Sequence, residues 1–289
     1  DVLDCAGSAT TMRHAAAAAA LADGTTVLTG DRSLRTRPQD PILDAITELG
    51  GDAKSTRANG QAPLVIEGAV AGGTINFQND ISAQFVTPFM LAGPVTPDGI
   101  RIEVAEQIEE ETHVAITTDL LDEFGITVEE SDESIWIPGD QYYEPTDGEY
   151  NVPSDFASVS YLLAAGAIAA DDELRISGAY PSAQRETAIV DVLETMGGDI
   201  DWHRGDGQLV VRRAALDGAV VDVSEAPDLV PTVAVLGSVA DGTTRIEHAT
   251  TGRYKTVRRA EAMAEELSHL GVSASVDGDT LVVLGGESE

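Results

Sequence analysis

Apolar and polar positions along the chain recur in one order at nearly constant spacing. Four amphipathic runs each end at a glycine, and these glycines are separated by 75, 72 and 74 residues: Gly50, Gly125, Gly197 and Gly271. A glycine at this place is typical of a helix end, where the backbone turns left-handed. Two short β-rich runs follow each glycine, as at 273–276 and 280–284, and predict a hairpin. The pattern therefore predicts four copies of one repeat.

A second helix, more uniformly apolar, precedes the amphipathic helix in each copy. These helices are predicted over 12–21, 85–92, 159–169 and 229–239, each followed by a strand over 25–29, 100–104, 173–177 and 243–247. A helix that is apolar on all faces is usually buried. Each repeat is therefore predicted to run strand, helix, strand, helix, strand, strand, with one buried helix, one half-exposed helix and a small mixed sheet. This order places the chain in the α/β class.

The chain is strongly acidic, with a formal net charge of −33 from 50 acidic and 17 basic residues among 289. The only lysines are Lys54 and Lys255. Acidic residues are spread over nearly every predicted helix and loop, which indicates a solvated surface rather than an acidic tail. This composition is typical of proteins kept soluble in concentrated salt, which screens like charges from one another. A merely acidic protein from a low-salt organism is the alternative.

Charge and cysteine content exclude several classes of protein. Nucleic-acid binding needs a basic stripe, and the sequence has none. No run reaches the roughly 18 apolar residues that a membrane span needs, and the alanine run at 15–20 is too short. The single Cys5 has no partner for an internal disulfide and fits a reducing, cytoplasmic compartment. Small anionic substrates remain suitable partners if arginines gather locally.

Loop motifs at the ends of the predicted elements occur in a characteristic order. They are Asp4-Cys5-Ala6-Gly7-Ser8-Ala9-Thr10-Thr11-Met12-Arg13, Arg35-Thr36-Arg37-Pro38, Asp80-Ile81-Ser82-Ala83-Gln84, Asp155-Phe156-Ala157-Ser158, Pro227-Asp228-Leu229 and Arg253-Tyr254-Lys255-Thr256-Val257-Arg258-Arg259. In order and spacing, from about residue 3 to residue 285, they resemble the EPSP synthases of the enolpyruvyl transferase family, in their haloarchaeal form. The resemblance implies an inside-out α/β barrel of repeated βαβαββ units, with four of six present.

The resemblance also implies a reaction. EPSP synthases transfer the enolpyruvyl group of phosphoenolpyruvate to the 5-hydroxyl of shikimate 3-phosphate, in aromatic amino acid biosynthesis, and release phosphate without a metal or organic cofactor. Both substrates carry phosphate and carboxylate, so the site needs arginines and many hydrogen-bond donors. A base must take the hydroxyl proton and an acid must protonate the methylene carbon. The complete protein is expected to act as a monomer.

Residue by residue, the resemblance implies that Arg37 and Arg259 bind phosphoenolpyruvate. It places Ser82 and Gln84 on shikimate 3-phosphate, although Ser82 could serve as a helix N-cap, alone or in addition. A solvated surface arginine is the alternative for Arg37 and Arg259. Arg13 and Asp155 match motif positions as supporting residues.

The catalytic residues implied by the resemblance are Asp228 and Lys255. Asp228 matches the acid/base aspartate before the fourth apolar helix, with helix capping as its alternative. Lys255 matches a lysine that also binds substrate, and its rarity in this chain favours a required charge.

Several positions depart from the family pattern. Thr256 replaces a glutamate that is a main acid/base candidate, and threonine cannot exchange a proton at neutral pH. The stretch Glu110-Glu111-Thr112-His113 replaces Ser-x-Pro-Tyr, so His113 stands where a tyrosine faces shikimate and the two glutamates should repel phosphate.

Two alanines replace smaller or polar residues. Ala83 replaces the second serine of Ser-Ser-Gln, and Ala9, followed by Thr10, replaces the glycine of Asn-x-Gly-Thr. A methyl group at Ala9 is expected to narrow the phosphoenolpyruvate pocket and to reduce sensitivity to glyphosate.

The domain expectation follows from the repeat count. Residues 1–151 should form an N-terminal, upper domain and residues 152–289 a C-terminal, lower domain, each with two repeats and each lacking one. Because the absent repeats carry substrate-binding lysines and arginines, the chain is predicted to be a fragment without appreciable activity.

Three other functions compete with an EPSP synthase. The first is a non-catalytic paralogue that binds a phosphorylated ligand or a partner, which Thr256 and the glutamates at 109–111 favour. The second is the related uridine-sugar enolpyruvyl transferase, whose loop cysteine has no counterpart in Cys5. The third, an RNA 3′-phosphate cyclase, is disfavoured by charge.

Overall fold

The computed structural model describes residues 1–78, 81–105, 108–109, 111–131, 134–146, 148–250 and 259–286. Residue contacts divide the chain into two compact units, Asp1–Tyr150 and Asn151–Glu289. Each unit has its own core of buried aliphatic side chains. No helix in the described ranges is long and apolar enough to cross a membrane.

The first repeat has the predicted order of elements. They are β1 (Val2–Asp4), α1 (Ala9–Leu21), β2 (Gly24–Thr29), α2 (Asp40–Glu48), β3 (Asp52–Ser55) and β4 (Leu64–Gly68), with a 3₁₀ turn at Leu34–Thr36. The sheet has the order β1-β2-β4-β3, in which only β1 and β2 are parallel.

The second repeat follows the same plan with one addition. Its elements are β5 (Gly73–Phe77), β6 (Ile81–Ser82), α3 (Ala83–Ala92), β7 (Ile100–Val104), β8 (Ile108–Glu109), α4 (Glu111–Glu123), β9 (Glu129–Glu130) and β10 (Ser134–Ile137). The main sheet has the order β5-β7-β10-β9, again with one parallel pair. The added strands β6 and β8 pair in parallel just ahead of α3 and α4.

The second unit contains the other two repeats. The third repeat comprises α5 (Phe156–Ala169), β11 (Glu173–Ser177), α6 (Ile189–Thr195), β12 (Asp199–His203) and β13 (Gln208–Arg212). The fourth comprises β14 (Val220–Asp222), α7 (Val230–Val239), β15 (Thr243–Glu247), α8 (Arg259–His269), β16 (Ser273–Asp277) and β17 (Thr280–Leu284), and its sheet order is β14-β15-β17-β16.

The repeat prediction is wrong at one place, because the third repeat has no first strand in its described residues. Its sheet is β11-β13-β12, with three strands instead of four. Pro153 stands where that strand would end, and proline has no N–H to give to a ladder. At this edge the backbone N–H of Ser154 donates to the carbonyl of Gly178 (2.7 Å), and its hydroxyl donates to the carbonyl of Ser177 (3.4 Å).

The four glycines that mark the repeat in the sequence lie at the C-terminal ends of four equivalent helices. Their φ angles lie between +72° and +90°. In each case the residue after the glycine donates its N–H to the carbonyl five positions back: Gly51 to Ile46, Ile126 to Leu121, Gly198 to Leu193 and Val272 to Leu267. This bond and the left-handed glycine define the Schellman motif. The predicted role of the glycines in ending the amphipathic helices is confirmed.

Burial of the apolar helices is less uniform than predicted. Eight of the ten residues of α3 are buried. In α5, Tyr161 and Leu162 are 54% and 50% exposed, and in α7 Val235 and Val239 are 39% and 47% exposed. Each of these two helices therefore buries one side only. Their contact includes a buried hydrogen bond between the hydroxyls of Ser160 and Thr232 (2.8 Å).

Candidate functional site

The candidate residues of the first unit gather around the first turns of α1 and α3. Ser8 caps α1, since its Oγ accepts the N–H of Thr11 (3.1 Å). Ala9 is the first residue of the helix and is buried, whereas Thr10 is exposed. Arg13 lies one turn further along and is only 9% exposed. A largely buried arginine requires hydrogen-bond acceptors around its guanidinium.

Two glutamines supply acceptors to Arg13. Its Nη1 donates to Oε1 of Gln84 at 2.5 Å, and its Nε donates to Oε1 of Gln39 at 3.2 Å. Its guanidinium carbon lies 3.9 Å from the centre of the Phe85 ring, within cation–π range. We call Arg13, Gln39 and Gln84 the arginine–glutamine cluster. It joins α1, α3 and the residue that precedes α2.

Ser82 is the N-cap of α3, as predicted, because its Oγ accepts the N–H of Gln84 (3.3 Å). Its substrate contact stays a prediction. Ala83 is fully buried as the first residue of the helix. The α3 N-terminus therefore presents two partly exposed polar side chains, Ser82 and Gln84. Unpaired N–H groups and the positive end of the helix dipole favour anions at such a terminus.

Arg37 lies at the end of the 3₁₀ turn and is exposed. Its backbone N–H bonds the carbonyl of Leu34 (3.1 Å). Its guanidinium forms no ion pair with a described residue, although the chain carries three acidic residues for each basic one. Such an arginine can accept an anionic ligand without first breaking an ion pair.

In the second unit, Asp228 and Arg259 form an ion pair. Asp228 lies in the 3₁₀ turn Pro227–Leu229 that leads into α7, and Arg259 is the first residue of α8. Nη1 of Arg259 also donates to the carbonyl of Pro227 (3.4 Å). The side chains of Arg259 and Asp228 are 33% and 41% exposed, so solvent and ligands can reach both. The pair joins a proton acceptor to a guanidinium that suits carboxylate or phosphate.

Other predicted site residues are placed differently or lie outside the described residues. Lys255 and Thr256 belong to the range 251–258, outside the described residues. His113 is exposed in the first turn of α4, where its carbonyl accepts the hydroxyl of Thr117 (2.7 Å). Asp155 is the N-cap of α5, through a bond from the N–H of Ala157 (3.1 Å), which agrees with a structural role.

A cavity of about 580 Å³ lies beside α2 and β5 and reaches Ile81, the residue before Ser82. Its lining includes the carboxylates of Asp44 and Glu48, and Glu48 accepts hydrogen bonds from the backbone and side chain of Asn76 (2.7 and 3.2 Å). Carboxylates in the wall repel phosphate and carboxylate ligands. The cavity therefore does not suit the predicted substrates, despite its volume. No group of three His, Cys, Asp or Glu side chains in the described ranges could hold a metal ion.

Sequence reasoning missed Gln39. This residue is fully buried, and its Nε2 has no hydrogen-bond partner among the described residues. It stands between Pro38 and the amphipathic helix α2, where no periodicity marks it as internal. The one available signal was its position directly after the motif Arg35-Thr36-Arg37-Pro38, two residues beyond Arg37.

Solved structures with the same fold define the class of protein. An EPSP synthase from Acinetobacter baumannii superposes on the whole chain with a TM-score of 0.81 at 24% sequence identity, and the chain covers 66% of that structure. A second structure of the EPSP synthase from the same organism gives a TM-score of 0.80 at 23% identity. The enolpyruvyl-transferase-like fold of repeated βαβαββ units is thereby confirmed.

Sequence comparison narrows the class to one family. Residues 1–289 match the family model of EPSP synthase (3-phosphoshikimate 1-carboxyvinyltransferase). The chain is 54% identical over 290 residues to the 3-phosphoshikimate 1-carboxyvinyltransferase of Halobacterium salinarum, and 50% identical over 303 residues to that of Halorubrum lacusprofundi. All of the chain and 67% of each relative are covered, so the chain spans about two thirds of their length. The chain belongs to the EPSP synthase family.

Proposed function

We propose that the protein containing this chain transfers the enolpyruvyl group of phosphoenolpyruvate to the 5-hydroxyl of shikimate 3-phosphate. In this reaction the hydroxyl oxygen bonds to C2 of phosphoenolpyruvate while the methylene carbon gains a proton and the C2–C3 double bond becomes single. The resulting methyl group then loses a proton, the double bond forms again, and the bond from C2 to the bridging oxygen breaks. The bridging oxygen leaves with phosphate. The observation that carries the proposal is the Asp228–Arg259 pair, a proton acceptor beside an anion-binding group.

The first unit supports binding of the two anionic substrates. Ser82 and Gln84 at the start of α3 are proposed to hold shikimate 3-phosphate, and Arg37 to hold phosphoenolpyruvate. Hydroxyl, amide and guanidinium groups donate hydrogen bonds to phosphate and carboxylate oxygens. The exposure of Arg37 and the partial exposure of Gln84 leave both side chains accessible.

The second unit supports the proton transfers. Asp228 is proposed to take the proton of the 5-hydroxyl as oxygen attacks C2, while Arg259 holds the carboxylate or phosphate of phosphoenolpyruvate. Lys255 is proposed to contact substrate and to take part in proton transfer. No metal or organic cofactor has a step in this scheme, and the protein is proposed to act as a cytoplasmic monomer.

The test uses the protein encoded by the complete reading frame that contains these residues. Phosphate release is measured with both substrates, with each substrate alone and with neither. The proposal predicts release only when both are present, and loss of release in Asp228→Asn and Arg259→Met. Release from phosphoenolpyruvate alone at the same rate would contradict it.

A non-catalytic paralogue is a second candidate, because Thr256 replaces the glutamate of the family pattern. This candidate predicts that shikimate 3-phosphate binds without turnover. Calorimetric titration with shikimate 3-phosphate, run beside the phosphate assay, separates the two: binding with turnover supports the transferase, and binding without turnover supports the paralogue. As a matched variant, Thr256→Glu should then create or raise activity.

A further inference from the structure

We propose that Arg13 is a positioning residue for substrate binding, because it fixes which way the Gln84 amide faces. This inference rests on the proposed function, in which Gln84 contacts shikimate 3-phosphate. An amide side chain has an oxygen that accepts hydrogen bonds and a nitrogen that donates them. Only the amide nitrogen can donate hydrogen bonds to the phosphate and hydroxyl oxygens of the substrate.

Arg13 fixes the orientation of the Gln84 amide because the guanidinium donates hydrogen bonds and accepts none. Its Nη1 lies 2.5 Å from Oε1 of Gln84. If the amide were flipped, two N–H groups would face each other and the bond would become a repulsive contact. The oxygen is therefore held toward Arg13, which leaves Nε2 on the other branch of the amide. That Nε2 has no hydrogen-bond partner among the described residues and remains available to a ligand.

The guanidinium itself is held from two further directions. Its Nε donates to Oε1 of Gln39, a fully buried residue whose backbone N–H bonds the carbonyl of Gly60 (2.7 Å). The ring of Phe85 packs against its face at 3.9 Å. Arg13 is 9% exposed, so it acts on a ligand through Gln84 rather than by contact of its own. A buried donor held on several sides keeps the amide from rotating before the substrate arrives.

A double-mutant cycle tests this coupling in the protein from the complete reading frame. The variants are Arg13→Met, Gln84→Ala and the combination of the two, and the readouts are the Kd for shikimate 3-phosphate and the Tm. We expect each single change to raise Kd about tenfold, the order of one lost hydrogen bond to a charged group. The combination should raise Kd no further than Gln84→Ala alone, whereas the fall in Tm caused by Arg13→Met should persist in both backgrounds.

Arg101→Met is the matched control. Arg101 also stacks on an aromatic ring, Trp136 at 5.0 Å, and bonds Ser134 in the same unit. The Arg101→Met change should lower the Tm without changing the Kd for shikimate 3-phosphate. Arg13→Lys replaces Arg13→Met as the test variant if Arg13→Met folds poorly. Lysine keeps the charge but lacks the planar fork that reaches both glutamines. The Kd of this variant for shikimate 3-phosphate should therefore rise several-fold at a nearly unchanged Tm.

The outcomes distinguish a failure of the Arg13 positioning role from a failure of the proposed substrate contact of Gln84. Independent, multiplicative effects of Arg13→Met and Gln84→Ala on Kd, or a Kd unchanged in both Arg13 variants, would overturn the positioning role alone. A Kd unchanged in Gln84→Ala, or no binding by the unsubstituted protein, would overturn the proposed substrate contact and the inference with it.

Discussion

Arg259 is the first residue of α8, and its guanidinium is ion-paired with Asp228, in the turn that opens α7. The pair joins the two helices of the fourth repeat at their N-termini. Both side chains stay partly exposed, so a ligand anion and the Asp228 carboxylate compete for the same guanidinium.

This competition leads to a prediction for Asp228→Asn. We expect kcat to fall about 10²- to 10⁴-fold because the general base is lost. The KM for phosphoenolpyruvate should stay level or fall, because Arg259 no longer has a carboxylate partner there. Steady-state kinetics with saturating shikimate 3-phosphate measure both constants. A rise in KM with unchanged kcat would assign Asp228 to binding instead.

Asp155→Asn is the matched control for that change. Asp155 caps α5 through the N–H of Ala157, and asparagine caps helices about as well as aspartate. Its kcat and KM should match those of the unsubstituted protein.

Salt should stabilise the protein. At a net charge of −33, repulsion between surface carboxylates opposes the compact state. The Debye length falls from about 10 Å at 0.1 M salt to about 3 Å at 1 M, so most of the relief should occur in this range. Calorimetry in about 0.1, 1 and 3 M KCl should show a rising Tm. A Tm that rises with sucrose but not with KCl would contradict this expectation.

The left-handed glycine that ends α8 should be costly to replace. Gly271 has a φ of +84°, and a Cβ there would meet no atom within 4 Å. Gly271→Ala therefore isolates the backbone cost, which we expect to be about 1–2 kcal/mol of unfolding free energy. Urea unfolding measures it. Gly205→Ala is the control, because a Cβ at Gly205 would also meet no atom within 4 Å and the residue has no positive φ. This change should alter the free energy of unfolding little.

A pH-dependent contact joins His248 to Asp222. Nδ1 of His248 lies 2.9 Å from Oδ1 of Asp222, and Nε2 lies 3.9 Å from Asp279. The hydrogen bond to Asp222 and the charge of that carboxylate raise the pKa of His248, and Asp279 and Glu247 add to this effect. The pKa of Asp222 is lowered to about 2, first by the backbone N–H of Ser224 and then by His248.

The sign of the pH effect follows from these shifts. The raised pKa of His248 contributes stability below the ordinary histidine value of about 6.5, and this is lost as pH rises through the raised pKa. The lowered pKa of Asp222 contributes stability above about 3.9, which is lost as pH falls through about 2.

His248→Asn removes the titration and keeps the backbone, because asparagine tolerates the left-handed φ of +58° at this position. The Tm of the unsubstituted protein should fall more steeply between about pH 6 and pH 9 than that of the variant. Parallel Tm curves over that interval would contradict a role of His248.

Local signals predicted much of the fold. Strands 100–104, 173–177, 243–247 and 280–284 were predicted with the bounds that the structure has, because apolar periodicity and turn residues are local properties. Three of the four apolar helices begin two or three residues before the predicted start, since Ser8, Ser82 and Asp155 cap them there. The fourth, α7, begins one residue after its predicted start, at Val230. Pro153 was the local signal against a first strand in the third repeat.

The candidate site was less predictable from the sequence. Motifs singled out Gln84, Asp228 and Arg259, but a motif does not say which side chains touch. The bond from Arg13 to Gln84 joins residues 71 positions apart, and the pairing of Asp228 with Arg259 spans 31. Such contacts depend on how helices pack, which composition and periodicity do not encode. Lys255 and Thr256 lie outside the described residues, and their roles remain predictions.

Isotope transfer tests the central claim most directly. Phosphoenolpyruvate labelled with oxygen-18 at its bridging oxygen is incubated with shikimate 3-phosphate and the protein from the complete reading frame, and the released phosphate is examined by mass spectrometry. Enolpyruvyl transfer breaks the bond from C2 to the bridging oxygen, so the phosphate should carry the label, and none should form without shikimate 3-phosphate. Unlabelled phosphate, with the label retained in pyruvate, would contradict the account.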